Sequence, residues 1–370
     1  MEEKTVVILG VTGSIGTQTV DVISTIGGFR IVGVSFGKNV DFANRIVSAF
    51  RIPYYHGNGT LEFGSKLGSI EELLEKTKPD IVVCAIPGIE GVKAAFESLK
   101  YTKRLALATK EALVCAGPFF KRMVREKGVE LIPVDSEHSA IFQLIEESVE
   151  KIVLTASGGA IRDVPKDQIR GLGPREILRH PTWRMGHRIT VDSATMVNKL
   201  FEVIEAHELF DISYSDIHVM INPSSFIHGI VYLKDGTVKI HAGLPDMRVP
   251  IAYALTYPER RYTGRIPEVR DFDMRLIDIE KDRYPIFDYG LKYVVNDLAR
   301  RVALNAADEV AIEAFLAGRI SFGELIDTIL YVVDNVSSEI RDLDEVFYVD
   351  LIARNLAKEA LARIERRVPK

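Results

Sequence analysis

Short apolar runs alternate with amphipathic stretches through the first third of the chain. Runs rich in β-branched residues predict strands, and apolar residues at helical spacing between them predict helices. The predicted strands are 5–9, 31–35, 80–85, 104–108 and 130–134, and the predicted helices are 15–26, 69–77, 89–99 and 119–127. Alternation at this spacing is typical of βαβ units with a mostly parallel sheet. We therefore expect an α/β domain over residues 1–148, with a Rossmann-like, doubly wound parallel sheet.

The middle of the chain has a different pattern. Its predicted elements are a strand at 151–156, a helix at 193–209, and two strands at 228–233 and 238–242 joined by a Lys-Asp-Gly-Thr hairpin turn. The segment 157–187 is rich in glycine and proline and carries the only tryptophan, Trp183. A long irregular segment of this kind is either a functional lid or disordered. We expect residues 149–262 to form an α+β catalytic domain with an antiparallel or mixed sheet.

The final part of the chain is predominantly helical in pattern. Charged residues and prolines dominate 257–285, and we assign 263–285 as a linker. Apolar periodicity then predicts helices at 306–317, 322–334 and 350–367. The simplest interpretation of 286–370 is a small helical bundle.

Composition excludes several classes of protein. Of the 370 residues, 47% are hydrophobic and 27% are charged, which is a globular balance. The formal net charge of −5 argues against a general nucleic-acid binder. No apolar stretch approaches the length of a membrane span, which is ~20 residues. The two cysteines lie in apolar runs, which argues against a disulfide scaffold or a cysteine-ligated zinc site. The acidic N-terminus does not resemble a signal peptide, so we expect a cytoplasmic protein.

The first predicted strand leads into a glycine-rich turn, GVTGSIG at 10–16. Glycines allow a tight turn, and the following helix N-terminus offers unpaired amides to a pyrophosphate. An ordinary βα turn is the alternative.

The second strand ends in Gly37, Lys38 and Asn39, where an NAD site would usually place a carboxylate. A lysine and an amide suit a 2′-phosphate better, so NADPH is favoured over NADH; nearby Asp41 is a natural cap for the next helix.

Two carboxylates follow the strand at 130–134. In an extended backbone Asp135 and Glu137 point to the same side, and an all-oxygen pair favours Mg²⁺ or Mn²⁺. A solvated turn is the alternative. Asn198, Lys199 and Glu202 fall within one turn of the predicted helix at 193–209. Their spacing alone favours a surface face with a Lys199–Glu202 ion pair.

Motifs along nearly the whole chain resemble those of 1-deoxy-D-xylulose 5-phosphate reductoisomerases. They are GVTGSIG at 10–16, GKN at 37–39, KEALV at 110–114, VDSEHSA at 134–140, TASGGA at 155–160, HPTWRMG at 180–186, VDSATMVNK at 191–199, PDMR at 245–248 and ALNAADE at 303–309. They occur in the order found in that family. The resemblance implies a homodimeric enzyme that converts a small phosphorylated ketose, 1-deoxy-D-xylulose 5-phosphate, to 2-C-methyl-D-erythritol 4-phosphate. It also implies NADPH and a divalent metal ion as cofactors.

The resemblance assigns roles residue by residue. Cofactor contacts fall on Thr12, Gly13, Ser14, Ile15, Gly37, Lys38, Asn39, Thr109, Glu111 and Gly186. The metal ligands are Asp135, Glu137 and Glu202. Substrate contacts fall on Lys110, Ser136, Glu137, Ser157, His180, Ser193, Asn198, Lys199 and Glu202, and the catalytic set is Lys110, Glu137, His180 and Trp183. In these roles Lys110 steadies anionic oxygens, and Trp183 covers the substrate.

The chain departs from the family pattern at two positions. Thr109 stands where the family often has asparagine, so a cofactor contact there is expected through the backbone only. Asn222 stands where the family often has histidine, and an amide can replace only the hydrogen bonds of an imidazole. Two other functions stay open: an NADPH-dependent reductase of another aldehyde or semialdehyde, and a silent NADPH-binding protein. Metal dependence distinguishes the first, because such a reductase has no need of three metal-binding carboxylates.

Overall fold

In the computed structural model the described residues are 3–179, 186–261, 263–264, 266–268 and 273–366. The chain divides into two compact units. The first consists of Met1–Ala112, Phe120–Gln143 and Asp246–Arg270, and the second of Leu113–Phe119, Leu144–Pro245 and Asp271–Lys370. Each unit therefore combines segments that are distant in sequence.

The elements of the described part alternate strand and helix before becoming helical. The strands are β1 Lys4–Leu9, β2 Phe29–Phe36, β3 Tyr54–Gly57, β4 Ser65–Lys66, β5 Ile81–Cys84, β6 Arg104–Leu107, β7 Glu130–Pro133, β8 Val149–Ala156, β9 Ile217–Ile221, β10 Ile227–Leu233 and β11 Val238–Ala242. The helices are α1 Ser14–Ile26, α2 Val40–Ala49, α3 Ile70–Thr77, α4 Gly88–Ser98, α5 Glu111–Lys127, α6 Ser136–Leu144, α7 Lys166–Ile169, α8 Pro174–Ile177, α9 His187–Thr195, α10 Val197–Phe210, α11 Arg248–Thr256, α12 Pro285–Tyr293, α13 Leu298–Leu316, α14 Phe322–Asn335 and α15 Leu343–Glu365.

A parallel sheet forms the centre of the first unit. Its strand order is β4-β3-β2-β1-β5-β6-β7, and each neighbouring pair is parallel. The apolar residues 6–9 of β1 are fully buried, as expected of a strand covered on both faces. The chain builds outward from β1 to β4 and then returns to the other side of β1. This reversal creates the crevice at which doubly wound sheets bind ligands, and it confirms the predicted fold class.

Helix α11 joins the first unit from far downstream, in a region where the sequence pattern predicted no element. It packs on α1, β6 and β7. The buried Arg104 on β6 donates hydrogen bonds to the carbonyl oxygens of Leu255 and Tyr257, at 2.9 and 2.7 Å. These carbonyls end the helix without intrahelical partners, and the planar guanidinium satisfies both of them at once. Arg104 therefore fastens the end of α11 to the sheet.

The second unit contains a mixed four-stranded sheet with the order β11-β10-β8-β9. Strands β8 and β9 are parallel, whereas β10 is antiparallel to both of its neighbours. The turn from β10 to β11 is stabilised by Asp235, whose carboxylate accepts a hydrogen bond from the Thr237 amide at 2.9 Å. The sequence predicted an antiparallel or mixed sheet with a hairpin; the sheet is mixed, and the hairpin is confirmed. Strand β9 was not predicted.

The predicted helix at 193–209 is two helices, α9 and α10, separated by Met196. Met196 has φ +62°, a left-handed conformation that interrupts the helical hydrogen bonds. The Thr195 hydroxyl accepts a hydrogen bond from the Val197 amide at 3.3 Å, which helps to start α10. The break was missed because neither glycine nor proline marks it. The predicted irregular segment 157–187 contains the two short helices α7 and α8.

The remaining helices, α12 to α15, confirm the helical prediction for the end of the chain. Helix α13 packs against both α14 and α15, and its alanines 303, 306, 307, 311 and 314 are buried. Helices α13 and α15 begin earlier than their apolar periodicity predicted. Asp297 and Asp342 cap them, with side chains that accept from the amides three residues later. No helix in the described ranges is both long and apolar enough to cross a membrane.

Candidate functional site

The glycine-rich turn lies between the carboxyl end of β1 and the start of α1, as the sequence predicts. The Gly10 amide donates to the Ser35 carbonyl oxygen at 3.1 Å. At Gly16 a methyl group would lie 2.3 Å from the Gly10 oxygen, so only glycine lets α1 approach the strand this closely. No side chain among the described residues caps the first turn of α1, which leaves its amides facing outward. The residues predicted to contact pyrophosphate, Thr12, Gly13, Ser14 and Ile15, are exposed or half-buried.

The end of β2 leads into the segment predicted to contact the adenosine phosphate. Gly37, Lys38 and Asn39 are all exposed. The Asn39 side chain accepts a hydrogen bond from the Phe42 amide at 3.2 Å and caps α2. The expected cap, Asp41, lies instead in the first turn of that helix. The lysine is thus presented from a short segment that the Asn39 cap anchors.

Thr109 and Glu111 stabilise the backbone at the ends of β5 and β6. The buried Thr109 hydroxyl donates to the Ile86 carbonyl oxygen at 2.8 Å, so its hydrogen is committed within the protein. One carboxylate oxygen of Glu111 accepts from the Gly88 amide at 2.6 Å, at the start of α4. These contacts hold the loops at the carboxyl edge of the parallel sheet, where the predicted cofactor contacts are concentrated.

Lys110 forms an ion pair with Asp135, and both side chains are largely buried. His138 is fully buried, and its Nδ1 lies 3.6 Å from Asp135 Oδ1. Burial alone would raise the pKa of the Asp135 carboxyl, but Lys110 and His138 hold that pKa well below its usual range. The contacts of Lys110 and His138 therefore favour the ionised form of Asp135. The orienting contact from His138 was missed, although its position three residues after Asp135 was a usable signal.

Glu137 is placed by a helix start and not by an extended strand. Strand β7 ends at Pro133 and α6 begins at Ser136, so the extended arrangement predicted for Asp135 and Glu137 is wrong. Asp135 instead accepts from the Glu137 amide at 3.3 Å, as a residue preceding a helix does. The Ser136 hydroxyl donates to the Glu137 carboxylate. The turn thereby brings the two acidic residues together by a different route.

The predicted phosphate contacts lie in the second unit. Ser157 Oγ is 3.5 Å from Ser193 Oγ, and it also accepts from the Gly159 amide at 3.1 Å. A methyl group at Gly159 would lie 2.5 Å from the Ser193 carbonyl oxygen. Glycine at this position therefore lets the loop after β8 reach α9 and places the two hydroxyls side by side.

The polar residues of α10 form a buried cluster. Asn198 donates to Glu202 Oε1 at 2.6 Å, and Lys199 donates to Glu202 Oε2 and to the Thr155 carbonyl oxygen. Lys199 is 4% exposed and Glu202 is 1% exposed. The Lys199–Glu202 pair that the spacing favoured does form, but the exposed helix face expected around it is wrong. A buried carboxylate with two oriented donors is typical of a functional site.

Two of the predicted site residues, His180 and Trp183, lie outside the described residues. Gly186 directly precedes α9, and its carbonyl oxygen accepts from the Thr190 amide at 3.1 Å. The cofactor turn, Lys110, Asp135 and Glu137 belong to the first unit. Ser157, Ser193 and the α10 cluster belong to the second.

Asn222, one of the two departures, organises the turn between β9 and β10. Its side-chain oxygen accepts from the amides of Phe226 and Ile227 at 2.9 and 3.0 Å. Its side-chain nitrogen donates to the Arg275 carbonyl oxygen at 2.9 Å. An amide combines a strong double acceptor with a donor, a combination that one imidazole does not offer in the same geometry.

Family models match most of the chain. The model described as 1-deoxy-D-xylulose 5-phosphate reductoisomerase matches residues 6–117, and the model for the C-terminal domain of that enzyme matches residues 131–210. A further model, described as the DXP reductoisomerase C-terminal domain, matches residues 242–356.

Curated relatives and solved structures match over nearly their full length. The chain is 47% identical to the 1-deoxy-D-xylulose 5-phosphate reductoisomerase of Thermotoga neapolitana, covering 97% of each chain. It is 51% identical to that of Thermotoga maritima, covering 87% of each. A crystal structure of DOX-P reductoisomerase in complex with NADPH, fosmidomycin and magnesium aligns with TM-score 0.92 and 29% identity, over 98% of this chain and 99% of that one. The Zymomonas mobilis enzyme in complex with NADPH aligns with TM-score 0.88 and 30% identity, over 97% of this chain and 99% of that one.

Proposed function

This chain belongs to the 1-deoxy-D-xylulose 5-phosphate reductoisomerase family, and from that premise we propose which residues perform each part of the reaction. The protein converts 1-deoxy-D-xylulose 5-phosphate to 2-C-methyl-D-erythritol 4-phosphate in non-mevalonate isoprenoid biosynthesis. The conversion joins a metal-assisted skeletal rearrangement to an NADPH-dependent reduction. When bound, NADPH supplies the hydride, and the divalent ion polarises the reacting substrate oxygens.

The first unit has the features that NADPH requires. The uncapped first turn of α1 offers the backbone amides of Ser14 and Ile15 to the pyrophosphate, beside Thr12 and Gly13. The Gly13 amide itself donates to the Gly10 carbonyl oxygen at 3.0 Å. The exposed Lys38, carried between Gly37 and the cap residue Asn39, attracts the 2′-phosphate. The remaining proposed contacts are the Thr109 backbone and Glu111 in the first unit, and Gly186 in the second. Because the Thr109 hydroxyl already donates to the Ile86 carbonyl oxygen, we propose that residue 109 contacts NADPH through its main-chain atoms only.

Three carboxylates would hold the metal ion: Asp135, Glu137 and Glu202. An all-oxygen donor set fits Mg²⁺ or Mn²⁺ better than zinc. The structure supports this fit because each carboxylate is oriented by a donor of its own: Lys110 for Asp135, Ser136 for Glu137, and Asn198 for Glu202. Such supporting contacts are typical of metal ligands.

Five residues are proposed to bind the substrate, four of them at its phosphate group and one near its reacting carbons. The hydroxyls of Ser157 and Ser193, the Asn198 amide and the Lys199 ammonium supply neutral donors and one cation, as a phosphate requires. Ser136 contributes a further hydroxyl near the reacting carbons. The observation that carries this proposal is the buried α10 cluster, in which two proposed phosphate contacts are hydrogen-bonded to a proposed metal ligand.

Lys110 and Glu137 are the proposed catalytic groups of the first unit. The ammonium of Lys110, held at Asp135, stabilises negative charge that develops on the substrate oxygens. Glu137 binds both substrate and metal ion. From the segment 157–187, His180 positions the substrate and Trp183 covers it to exclude water.

The chain is proposed to act through four segments. Residues 1–148 are proposed to bind the cofactor, and 149–262, with the lid 157–187, to bind the substrate and form the dimer. Helix α11, near the end of the second segment, packs in the first compact unit. Residues 263–285 link this part to a supporting helical domain at 286–370.

A homodimer is proposed at the edge of the mixed sheet. Strand β11 is an edge strand, and its apolar Val238 and Ile240 are 46% and 45% exposed. An exposed apolar edge favours pairing with the same strand of a second copy. Replacing Ile240 by lysine is expected to yield monomers in light scattering, whereas a dimer that persists contradicts this interface.

The cytoplasm is the proposed compartment. Cys84 and Cys115 are both buried thiols, which suits a reducing environment. Cell fractionation with an antibody to the chain tests this location. Recovery in the membrane or periplasmic fraction would contradict it.

The first test follows NADPH absorbance with purified protein, 1-deoxy-D-xylulose 5-phosphate, and either Mg²⁺, Mn²⁺ or a chelator. Oxidation that requires both the substrate and the metal is expected, with NADPH preferred over NADH. Metal-independent oxidation of another aldehyde would indicate the alternative reductase. NADPH binding without turnover of any of these substrates would indicate a silent binder.

A further inference from the structure

Two buried aspartates on different helices of the second unit approach the same arginine. Asp192 on α9 is 5% exposed, and Asp308 on α13 is fully buried. Arg188 Nε lies 3.8 Å from Asp192 Oδ2, and Arg188 Nη2 lies 3.6 Å from Asp308 Oδ2. Both distances are longer than a hydrogen bond. The Arg188 guanidinium therefore forms only a weak ion pair with each of the two carboxyl groups.

The electrostatics of Asp308 disfavour its ionised form. Burial raises the pKa of the Asp308 carboxyl well above its ordinary value, the Asp192 charge raises it further, and Arg188 only partly opposes both. In the described part of the chain, neither oxygen of Asp308 accepts a hydrogen bond, and the nearest guanidinium nitrogen of Arg188 lies 3.6 Å from Oδ2. A proton on Asp308 resolves both difficulties, because a carboxylic acid can donate its O–H to a neighbouring carboxylate.

The surrounding charges leave this arrangement with a deficit of cations. Arg188 also donates to Asn305 at 3.3 Å and lies 3.7 Å from Glu309, which adds negative charge beside Asp308. Arg354 on α15 pairs with Glu309 at 2.9 Å. That same guanidinium also binds Asp350 through two hydrogen bonds, at 2.6 and 3.0 Å. Arg354 is therefore occupied on the far side of the network.

Helices α8, α10 and α12 also pack on α9. Charged groups on them bond elsewhere: Glu176 to the Gly173 amide, Lys199 to Glu202, Glu208 to Arg301, and Asp288 to Lys292. His187 at the start of α9 and Arg175 on α8 are exposed. The observed ion pairs place Arg188 beside both aspartates, Glu309 beside Arg188, and Arg354 on Glu309. Helix α10 also carries the buried carboxyl group of Glu205.

We propose that Asp308 and Asp192 form a carboxylic acid–carboxylate pair that locks α9 to α13 and thereby positions Ser193 for the substrate phosphate. This inference rests on the proposed role of Ser193, which directly follows Asp192 in α9. Successive residues of a helix point in different directions, so Asp192 faces α13 while Ser193 Oγ lies beside Ser157 Oγ. Both aspartates are positioning residues, since neither contacts the substrate in this proposal.

The pair has a defined pH dependence. The folded chain holds a proton on Asp308 that the unfolded chain releases above an ordinary carboxyl pKa. The folded state thus binds one more proton between that ordinary pKa and the raised one. Its stability therefore falls as the pH rises through this interval. Loss of the proton also weakens the lock on α9, so the KM for substrate rises at alkaline pH.

The test uses the full-length enzyme with NADPH and Mg²⁺ and compares two substitutions of Asp308. Asp308→Asn keeps a donor for Asp192 but has no proton to lose. It is expected to preserve the KM at neutral pH and to abolish its alkaline rise. Asp308→Leu removes the donor, and the KM for substrate is expected to rise about tenfold with a smaller change in kcat. Asp350→Asn is the matched control, because it removes a buried carboxylate on α15 that binds Arg354 in the same network.

The free energy of unfolding, measured as a function of pH, tests for the proton on Asp308 even if Asp308→Leu does not fold. Relative to Asp308→Asn, the wild-type chain is expected to lose stability with rising pH in proportion to one bound proton. Equal pH slopes for these two proteins overturn the proposal, as does a KM that responds alike to asparagine and leucine. The variant Ser193→Ala distinguishes a failure of the proposed role of Ser193 from a failure of the proposed Asp308–Asp192 pair. An unchanged KM in that variant overturns the proposed role of Ser193, whereas a raised KM there with no effect at Asp308 overturns the pair alone.

Discussion

Lys199 donates a hydrogen bond to Glu202 on the buried side of α10, so a proposed phosphate contact and a proposed metal ligand hold each other in place. Asn198 occupies the other oxygen of the same carboxylate. One turn of helix thereby joins the proposed phosphate contacts to a proposed metal ligand. A change at Glu202 is expected to disturb both functions, because its neighbours lose their common acceptor.

Glu202→Gln tests the metal role. The amide keeps the size of the side chain but loses the charge that a divalent cation requires, so the apparent Mg²⁺ affinity is expected to fall about a hundredfold. Metal titration of activity and isothermal calorimetry both measure this change. Glu208→Gln is the control, since Glu208 is a buried carboxylate of the same helix that pairs with Arg301 at 2.8 Å. Wild-type Mg²⁺ affinity in Glu202→Gln would rule out Glu202 as a ligand.

Much of the fold could be predicted from local pattern. The parallel strands of the first unit are continuous apolar runs, and β1 shows why: its residues 6–9 are buried on both faces. The glycine-rich turn could be predicted at the start of α1 because it lies between the first predicted strand and the first predicted helix. Helix α11 was missed, because its place in the first unit depends on the long-range bonds of Arg104 to Leu255 and Tyr257.

The candidate site was predictable in composition but not in geometry. Spacing indicated a Lys199–Glu202 pair, yet its burial depends on the bond from Lys199 to the Thr155 carbonyl oxygen on β8, which spacing does not reveal. Asp135 and Glu137 were expected on an extended strand. A helix starting at Ser136 could have been inferred, because aspartate is a strong N-terminal capping residue. Resemblance to a family supplied the roles that local pattern left open.

Asn222→Ala is expected to destabilise the fold. Asn222 is 1% exposed, and its removal leaves the Ile227 amide without the acceptor at 3.0 Å. The Phe226 amide loses its 2.9 Å bond and keeps a longer one, 3.4 Å, to Ser224 Oγ. Unsatisfied buried amides cost about 2–3 kcal/mol in free energy of unfolding. Chemical denaturation measures the difference. Ser224→Ala, in the same turn, is the control and is expected to change the free energy of unfolding by less than about 1 kcal/mol. A neutral effect of Asn222→Ala would show that the turn does not depend on this side chain.

Lys38→Ala is expected to reduce the preference for NADPH. Removing an exposed cation from a 2′-phosphate raises the KM for NADPH about tenfold and leaves that for NADH unchanged. Steady-state kinetics with both cofactors measure the ratio. Lys93→Ala is the control, because Lys93 is also exposed but pairs with Glu90 on α4. Parallel increases in both KM values would assign Lys38 to a contact common to the two cofactors.

Asp80→Asn tests a pH-dependent contribution to the stability of the parallel sheet. The Asp80 carboxylate accepts from the Thr5 amide at 3.0 Å and from the Thr5 hydroxyl at 2.8 Å, joining the start of β1 to the start of β5. The hydrogen bond from the Thr5 amide lowers the pKa of Asp80 more than burial raises it, and Lys103 lowers it by a smaller amount.

Because the folded pKa is depressed, this stabilisation is present above the ordinary pKa of 3.8 and disappears as the pH falls through the folded value. Wild type is therefore expected to exceed Asp80→Asn in free energy of unfolding near neutral pH, by less than about 1 kcal/mol because Asp80 is partly exposed. Denaturant titrations should show this difference shrinking below about pH 4, and a difference that stays constant with pH would contradict the ionised contact.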